Sequence, residues 1–185
     1  RQRSLEGLDT MTIEFFAKLR KDEMTPSDWP VVLRMDSKIS GTGSIMPFWA
    51  IGLDGSQTLH ARMDNEQKTG QYISFDTQKI YDGKWHHVAA TFYANDSQSC
   101  IRVFQDGTYV GAARLGTSDG WGAKDSIYYG EEGEALPFVV GSKPQTASRC
   151  SYGEIAEFRV SDEKIDDTGN RFMVPMVDGP VDADT

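Results

Sequence analysis

Apolar and polar residues alternate with period two along most of the chain. In Thr12-Ile13-Glu14-Phe15-Phe16-Ala17-Lys18-Leu19, the residues Ile13, Phe15, Ala17 and Leu19 share one side. That is the pattern of a strand with one face in a core. Pro30 to Met35, Pro47 to Leu53, Thr58 to Met63 and Gln71 to Phe75 read as further strands. Asp82-Gly83-Lys84 reads as a tight turn that launches a strand from Trp85 to Tyr93. Ile101 to Gln105 and Thr108 to Ala113 form a hairpin around Asp106-Gly107, a dipeptide that accepts positive φ at both positions. Pro137 to Ser142 and Gly153 to Val160 close the set. About ten to twelve short strands separated by polar turns predict an all-β, two-sheet antiparallel sandwich. The one helical signal is Ser161-Asp162-Glu163-Lys164-Ile165, with Ser161 as cap. His86 and His87 are neighbours on a strand and point to opposite faces, so one is expected to be packed and the other at the surface.

A length of 185 residues suits one domain with a short tail. The expected division is a β-sandwich over residues 1–168 and a linker or ordered tail over 169–185. A formal charge of −9 with no basic stripe argues against a nucleic-acid partner. It also disfavours an anionic membrane surface. No run of about 20 apolar residues is present, so no membrane-inserted segment is expected. The start at Arg1 and the end at Asp-Ala-Asp-Thr fit a processed chain or an excised domain.

Cys100 and Cys150 are the two cysteines. Their spacing lacks the close pairs of a zinc site. Each stands at a strand entry, so either they join in one disulfide or they remain two reduced core thiols. A bridge implies an oxidising compartment, in keeping with the glycosylation sequon Asn95-Asp96-Ser97.

Asp82-Gly83-Lys84-Trp85-His86-His87-Val88-Ala89-Ala90-Thr91-Phe92 resembles a signature of the laminin-G-like jelly roll within the concanavalin A-like lectin/glucanase superfamily. Ile101-Arg102-Val103-Phe104-Gln105-Asp106-Gly107 is similar to that family's next strand and turn. Phe138-Val139-Val140-Gly141 resembles its strand ending in glycine. Thr12 to Lys18 resembles the opening strand, and Gly153 to Val160 the closing one. The resemblance runs over roughly residues 8 to 165 and implies a concanavalin A-like jelly-roll sandwich. The closing strand departs from the family in carrying Ala156 where Asp is common.

Glycoside hydrolases of this superfamily use paired carboxylates in a Glu-x-Asp-x-x-Glu pattern. A retaining reaction needs them ~5–5.5 Å apart on one face. The nearest match, Glu154-Ile155-Ala156-Glu157, sets its acids three apart, on opposite sides of a strand. Glu131, Glu132 and Glu134 fall in a Gly-rich loop. There is no Gly-x-Ser-x-Gly elbow, no phosphate-cradling glycine motif and no His-Glu-x-x-His. Catalysis by this chain alone is not expected.

Between Arg114 and Pro137 lies an insertion longer than the ~12–15 residues of an ordinary loop. Sugars present apolar C–H faces and dense hydroxyls, so a site for them needs an aromatic platform beside amides or carboxylates. Trp121, Tyr128 and Tyr129 in the insertion are the candidate platforms, with Asp119 and Asp125 beside them. The alternative is that these aromatics cover the end of the sandwich. Trp85 and Trp49, on strands, are expected in the core. The resemblance further implies calcium at the sandwich rim, where Asp54, Asp64 and Asn65 offer loop oxygens. Solvated surface acids are the alternative.

Three functions follow as expectations. The first is a non-catalytic glycan-binding, lectin-like module for an oligosaccharide or polysaccharide. It would be carried beside catalytic or adhesive domains of the same polypeptide, such as a sialidase or another glycoside hydrolase. The second is an extracellular adhesion or spacer domain, and the third a glycan hydrolase. The expected location is secreted, periplasmic or at the cell surface.

Overall fold

A computed structural model describes residues 10–20, 31–38, 45–53, 59–63, 71–74, 80, 82–93, 99–115, 139–141 and 153–162. Ten strands lie among them: β1 (Thr10–Arg20), β2 (Val31–Lys38), β3 (Ile45–Leu53), β4 (Leu59–Met63), β5 (Gln71–Ser74), β6 (Asp82–Tyr93), β7 (Ser99–Gln105), β8 (Thr108–Leu115), β9 (Val139–Val140) and β10 (Gly153–Ser161). They form two antiparallel five-stranded sheets, ordered β10-β1-β6-β7-β8 and β5-β4-β3-β2-β9. The all-β sandwich expected from the alternation is therefore present.

Burial follows the alternation. Met11, Ile13, Phe15, Ala17 and Leu19 of β1 pack with Val88, Ala90 and Phe92 of β6 and Ile101 and Val103 of β7. Val32 and Leu33 of β2, Ile51 of β3, and Leu59 and Ala61 of β4 supply the opposing side of this core. A slip of one residue in β1 would carry this whole apolar row out of the core, which is why its register is strongly specified.

The first sheet is also buried on its outer face. Thr12, Glu14, Phe16, His87 and Thr91 are each almost fully buried although they alternate with the core residues. The Thr12 and Thr91 hydroxyls lie 2.8 Å apart across the β1–β6 ladder, and the rings of Phe16 and His87 meet at 5.2 Å.

Two local readings change. Asp82-Gly83-Lys84 is the bulged start of β6 rather than a separate turn: Lys18 pairs with Trp85 and Arg20 with Asp82, with a register shift between them. Gly83, at φ 78°, supplies the positive angle of the bulge. The Asp82 carboxylate accepts the Lys84 amide at 2.9 Å and stabilises the bend. Ser161 is the last residue of β10 and pairs with Thr12, so it does not cap a helix. The ladder to β1 satisfies its backbone instead. Asp162 follows as an exposed bend, and residues 163–165 of that expected turn lie outside the described residues, as does the tail expected over 169–185.

A candidate glycan platform on the β6 overhang

The β6–β7 ladder begins at Val88, opposite Gln105. The residues of β6 before it have β1 on one side and extend past the end of β7. This overhang carries two constellations, one on each face.

On the outer face, Glu154, Lys18 and Trp85 fall in one row across β10, β1 and β6. Trp85 is half-buried and does not belong to the inter-sheet core. That corrects the expectation of a core tryptophan. Trp85 has the parity of His87 and Thr91, whereas the core takes Val88, Ala90 and Phe92. This parity was available in the sequence, and the bulkiness of tryptophan obscured it. The Lys18 ammonium lies 5.8 Å from the centroid of the indole and 3.5 Å from a carboxylate oxygen of Glu154. The indole N–H of Trp85 is buried and has no hydrogen-bond acceptor among the described residues. The row therefore places an aromatic surface, a cation and an anion side by side.

Two rows along on the same face, past Phe16 and His87, the buried Glu14 carboxylate accepts from Arg159 Nε at 3.0 Å and also from Arg159 Nη2. His87 Nε2 lies 3.5 Å from its other oxygen.

On the inner face, His86 sits between two carboxylates. Its Nδ1 is 2.8 Å from Asp106 Oδ2 and its Nε2 is 3.0 Å from Asp82 Oδ1. Asp106 belongs to the hairpin turn between β7 and β8, where Asp106 (φ 51°) and Gly107 (φ 74°) both take the positive angles expected of the dipeptide. Its other carboxylate oxygen accepts the His87 amide at 2.9 Å, and its own amide donates to the His87 carbonyl at 2.9 Å. Gln105 Nε2 adds a weaker contact at 3.4 Å. The hydrogen bond to Asp106 raises the affinity of His86 for its proton. Burial opposes this, and the bond to Asp82 reinforces it. Burial pushes both carboxyls up, yet hydrogen bonds outweigh it. Those from His86 and the His87 amide hold Asp106 below its usual range, and those from the Lys84 amide and His86 do so for Asp82. One histidine is thus packed and the other lies at the rim, as the alternation required.

The sequence-chosen platform residues Trp121, Tyr128, Tyr129, Asp119 and Asp125 lie outside the described residues, as do Asp54, Asp64, Asn65 and the sequon at Asn95. Among the described residues, no group of three or more His, Cys, Asp or Glu is arranged to hold a metal ion. Cys100 is a buried free thiol whose Sγ lies 3.6 Å from the Ile101 carbonyl. Cys150, the other half of the expected bridge, lies outside the described residues. Among the described residues, no helix is long and apolar enough to cross a membrane.

The fold has solved relatives. The chain is similar to a heptameric SAP-like pentraxin from Limulus polyphemus, with a TM-score of 0.52 and 15% identity over 87% of this chain and 67% of that one. It is similar to the CBM40 domain of a Ruminococcus gnavus IT-sialidase bound to α2,3-sialyllactose, with a TM-score of 0.58 and 11% identity over 86% and 79% of the two chains. A sialidase of Trypanosoma rangeli matches at a TM-score of 0.55 and 12% identity over 86% of this chain but 22% of its own length. At these identities the likeness is one of fold. No curated protein matches in sequence. The family model described as the concanavalin A-like lectin/glucanases superfamily, of laminin-G type, matches residues 2–168, and the chain belongs to that family.

Proposed function

We propose that this chain is a non-catalytic carbohydrate-binding domain and that the Trp85 row is part of its sugar site. The observation that carries the reading is the position of Trp85. It lies on a strand overhang, turned away from the core, with Lys18 and Glu154 in the same row. An indole face takes up the apolar C–H side of a pyranose, while the ammonium and carboxylate meet its hydroxyls as donor and acceptor. The fold-level likeness to the CBM40 domain, which is bound to sialyllactose, is consistent with this reading. It is an argument from fold, not from site.

Three of the described carboxylates, Asp82, Asp106 and Glu14, do not suit the acid role of a hydrolase. A glycosidase needs one carboxyl that keeps its proton until the leaving group takes it. Asp82 and Asp106 are both held below the usual carboxyl range by hydrogen bonds to the charged form, and Glu14 is taken by Arg159. The domain is further proposed to serve a larger secreted or cell-surface polypeptide, delivering catalytic or adhesive neighbours to a glycan. Calcium at Asp54, Asp64 and Asn65, and a contribution from Trp121, Tyr128 and Tyr129, belong to the same proposal.

A glycan array followed by calorimetric titration tests it. Wild type is expected to give a defined set of hits, and Trp85→Ala to lose them while keeping a cooperative melt. Trp121→Ala measures the share of the insertion. Silence of the wild type across the array would favour an adhesion domain, and release of free sugar by the isolated chain would establish a hydrolase.

A further inference from the structure

We infer that Asp82, His86 and Asp106 form a proton-held clasp that fixes the β6 overhang, so that the strand segment carrying Trp85 loosens once His86 loses its proton. The geometry supplies the reason. Both imidazole nitrogens face carboxylate oxygens, at 2.8 and 3.0 Å. Only the doubly protonated ring can donate to both. A neutral imidazole keeps a single N–H, and its other nitrogen then turns a lone pair toward a carboxylate. One arm of the clasp must open.

The consequence is local because of how the overhang is held. Before Val88, β6 runs past the end of β7. On that side its ties among the described residues run through Asp106, which bonds both His86 and the His87 amide. Among the described residues, the charged groups near the ring come from β6, the β7–β8 turn and β1. Asp82 and Lys84 come from β6 itself, with the Lys84 ammonium 3.8 Å from Asp82. Asp106 comes from the β7–β8 turn, and Arg20 of β1 stands opposite Asp82. The residues in register with His86 are Ala17 of β1 and, beyond it, Ile155 of β10, neither of which titrates. The ring is thus set between two anions, with the Lys84 ammonium beside the Asp82 arm. The hydrogen bond to Asp106 first, and then that to Asp82, hold its proton more firmly than a free histidine holds one, against the opposing effect of burial.

If the Trp85 face binds sugar, which rests on the function proposed above, the clasp makes that binding pH-dependent and tighter on the acid side of the His86 titration. The clasp itself is tested without any ligand. Imidazole resonances of the full chain are followed by NMR against pH, together with hydrogen exchange of the His87 amide. The expected result is a His86 midpoint above that of a free histidine. Exchange at His87 should become roughly tenfold faster, beyond the intrinsic pH effect, as that midpoint is passed. Asp82→Asn, at an exposed position, and Asp106→Asn, which keeps a residue suited to the turn, should each lower the midpoint. A His86 midpoint at or below the ordinary histidine value, or one that neither substitution moves, would overturn the clasp. Sugar titration at two pH values is the separate arm. A clasp that titrates as expected in a chain that binds no glycan at either pH would overturn the sugar site alone.

Discussion

Arg159 reaches from the edge strand β10 to the carboxylate of Glu14 on β1, its Nε 3.0 Å from Glu14 Oε2. The two residues are 145 apart in sequence and directly opposed in the ladder. The guanidinium is about half exposed, with a side-chain accessibility of 45%, and the carboxylate is buried at 2%. The pair therefore joins a solvated cation to a desolvated anion, and the two ends should respond differently to substitution.

Arg159→Ala removes charge-assisted bonds from a buried carboxylate and is expected to destabilise the domain by about 2–3 kcal/mol. The same substitution made in a Glu14→Gln background should cost clearly less, because no buried charge is left behind. Chemical denaturation of the four proteins in the cycle measures this. Equal costs in both backgrounds would show that the pair contributes nothing specific.

Gly153 begins β10 at φ 151°, and a Cβ built there would meet the Lys18 carbonyl oxygen at 2.1 Å. That neighbour is backbone and cannot rotate away. Gly153→Ala is expected to lower stability by about 2 kcal/mol or more through displacement of β10 from β1. A melting temperature within a degree of wild type would contradict the close approach.

The stability of the rim should depend on pH in both directions. Asp82 and Asp106 have depressed carboxyl affinities for protons, so their contribution is present above the unfolded carboxyl range and is lost as pH falls through the lower, folded values. His86 is raised, so its contribution is complete below the unfolded histidine value and is lost as pH rises through the higher, folded one. The clasp adds most between roughly pH 4 and 6.5. Thermal melts of wild type and His86→Phe against pH should differ most in that window and converge outside it.

Cys100 is 2% exposed, so a thiol reagent should modify it slowly in the native chain. In urea without reductant it should react promptly. Failure to react there would reveal a bridge to Cys150, and prompt reaction in the native chain would contradict the burial.

A Phe15→Ala substitution at the centre of the inter-sheet core is expected to cost about 3–5 kcal/mol. Denaturant titration should show this as a lower midpoint with an unchanged slope.

Strand existence, the Asp106-Gly107 turn and the division of β1 into a core row and an opposite row were legible in the sequence. Each is set by local chemistry: period-two burial, or dipeptides that accept positive φ. The start of β6 was misread because a bulge and a turn use the same residues, and only the pairing of Arg20 with Asp82 tells them apart. A bulky apolar residue on a strand usually goes to the core, so composition alone places Trp85 there, whereas its parity with His87 and Thr91 places it on the other face. The sequence does not say where β7 ends alongside β6.

Order along the chain and alternation of side chains thus determined, by themselves, an antiparallel sandwich and the two faces of β1. The register shifts in β2 and β10, which set Val32 and Leu33 in one core and Glu154 and Arg159 on one face, came only with the pairing. What brings Glu14 to Arg159, His86 to Asp106 and Trp85 beside Lys18 and Glu154 is strand neighbourhood and register. Those depend on the packing of two sheets against each other. Long-range pairing is fixed only when the whole core is buried at once, so no local window of residues encodes it.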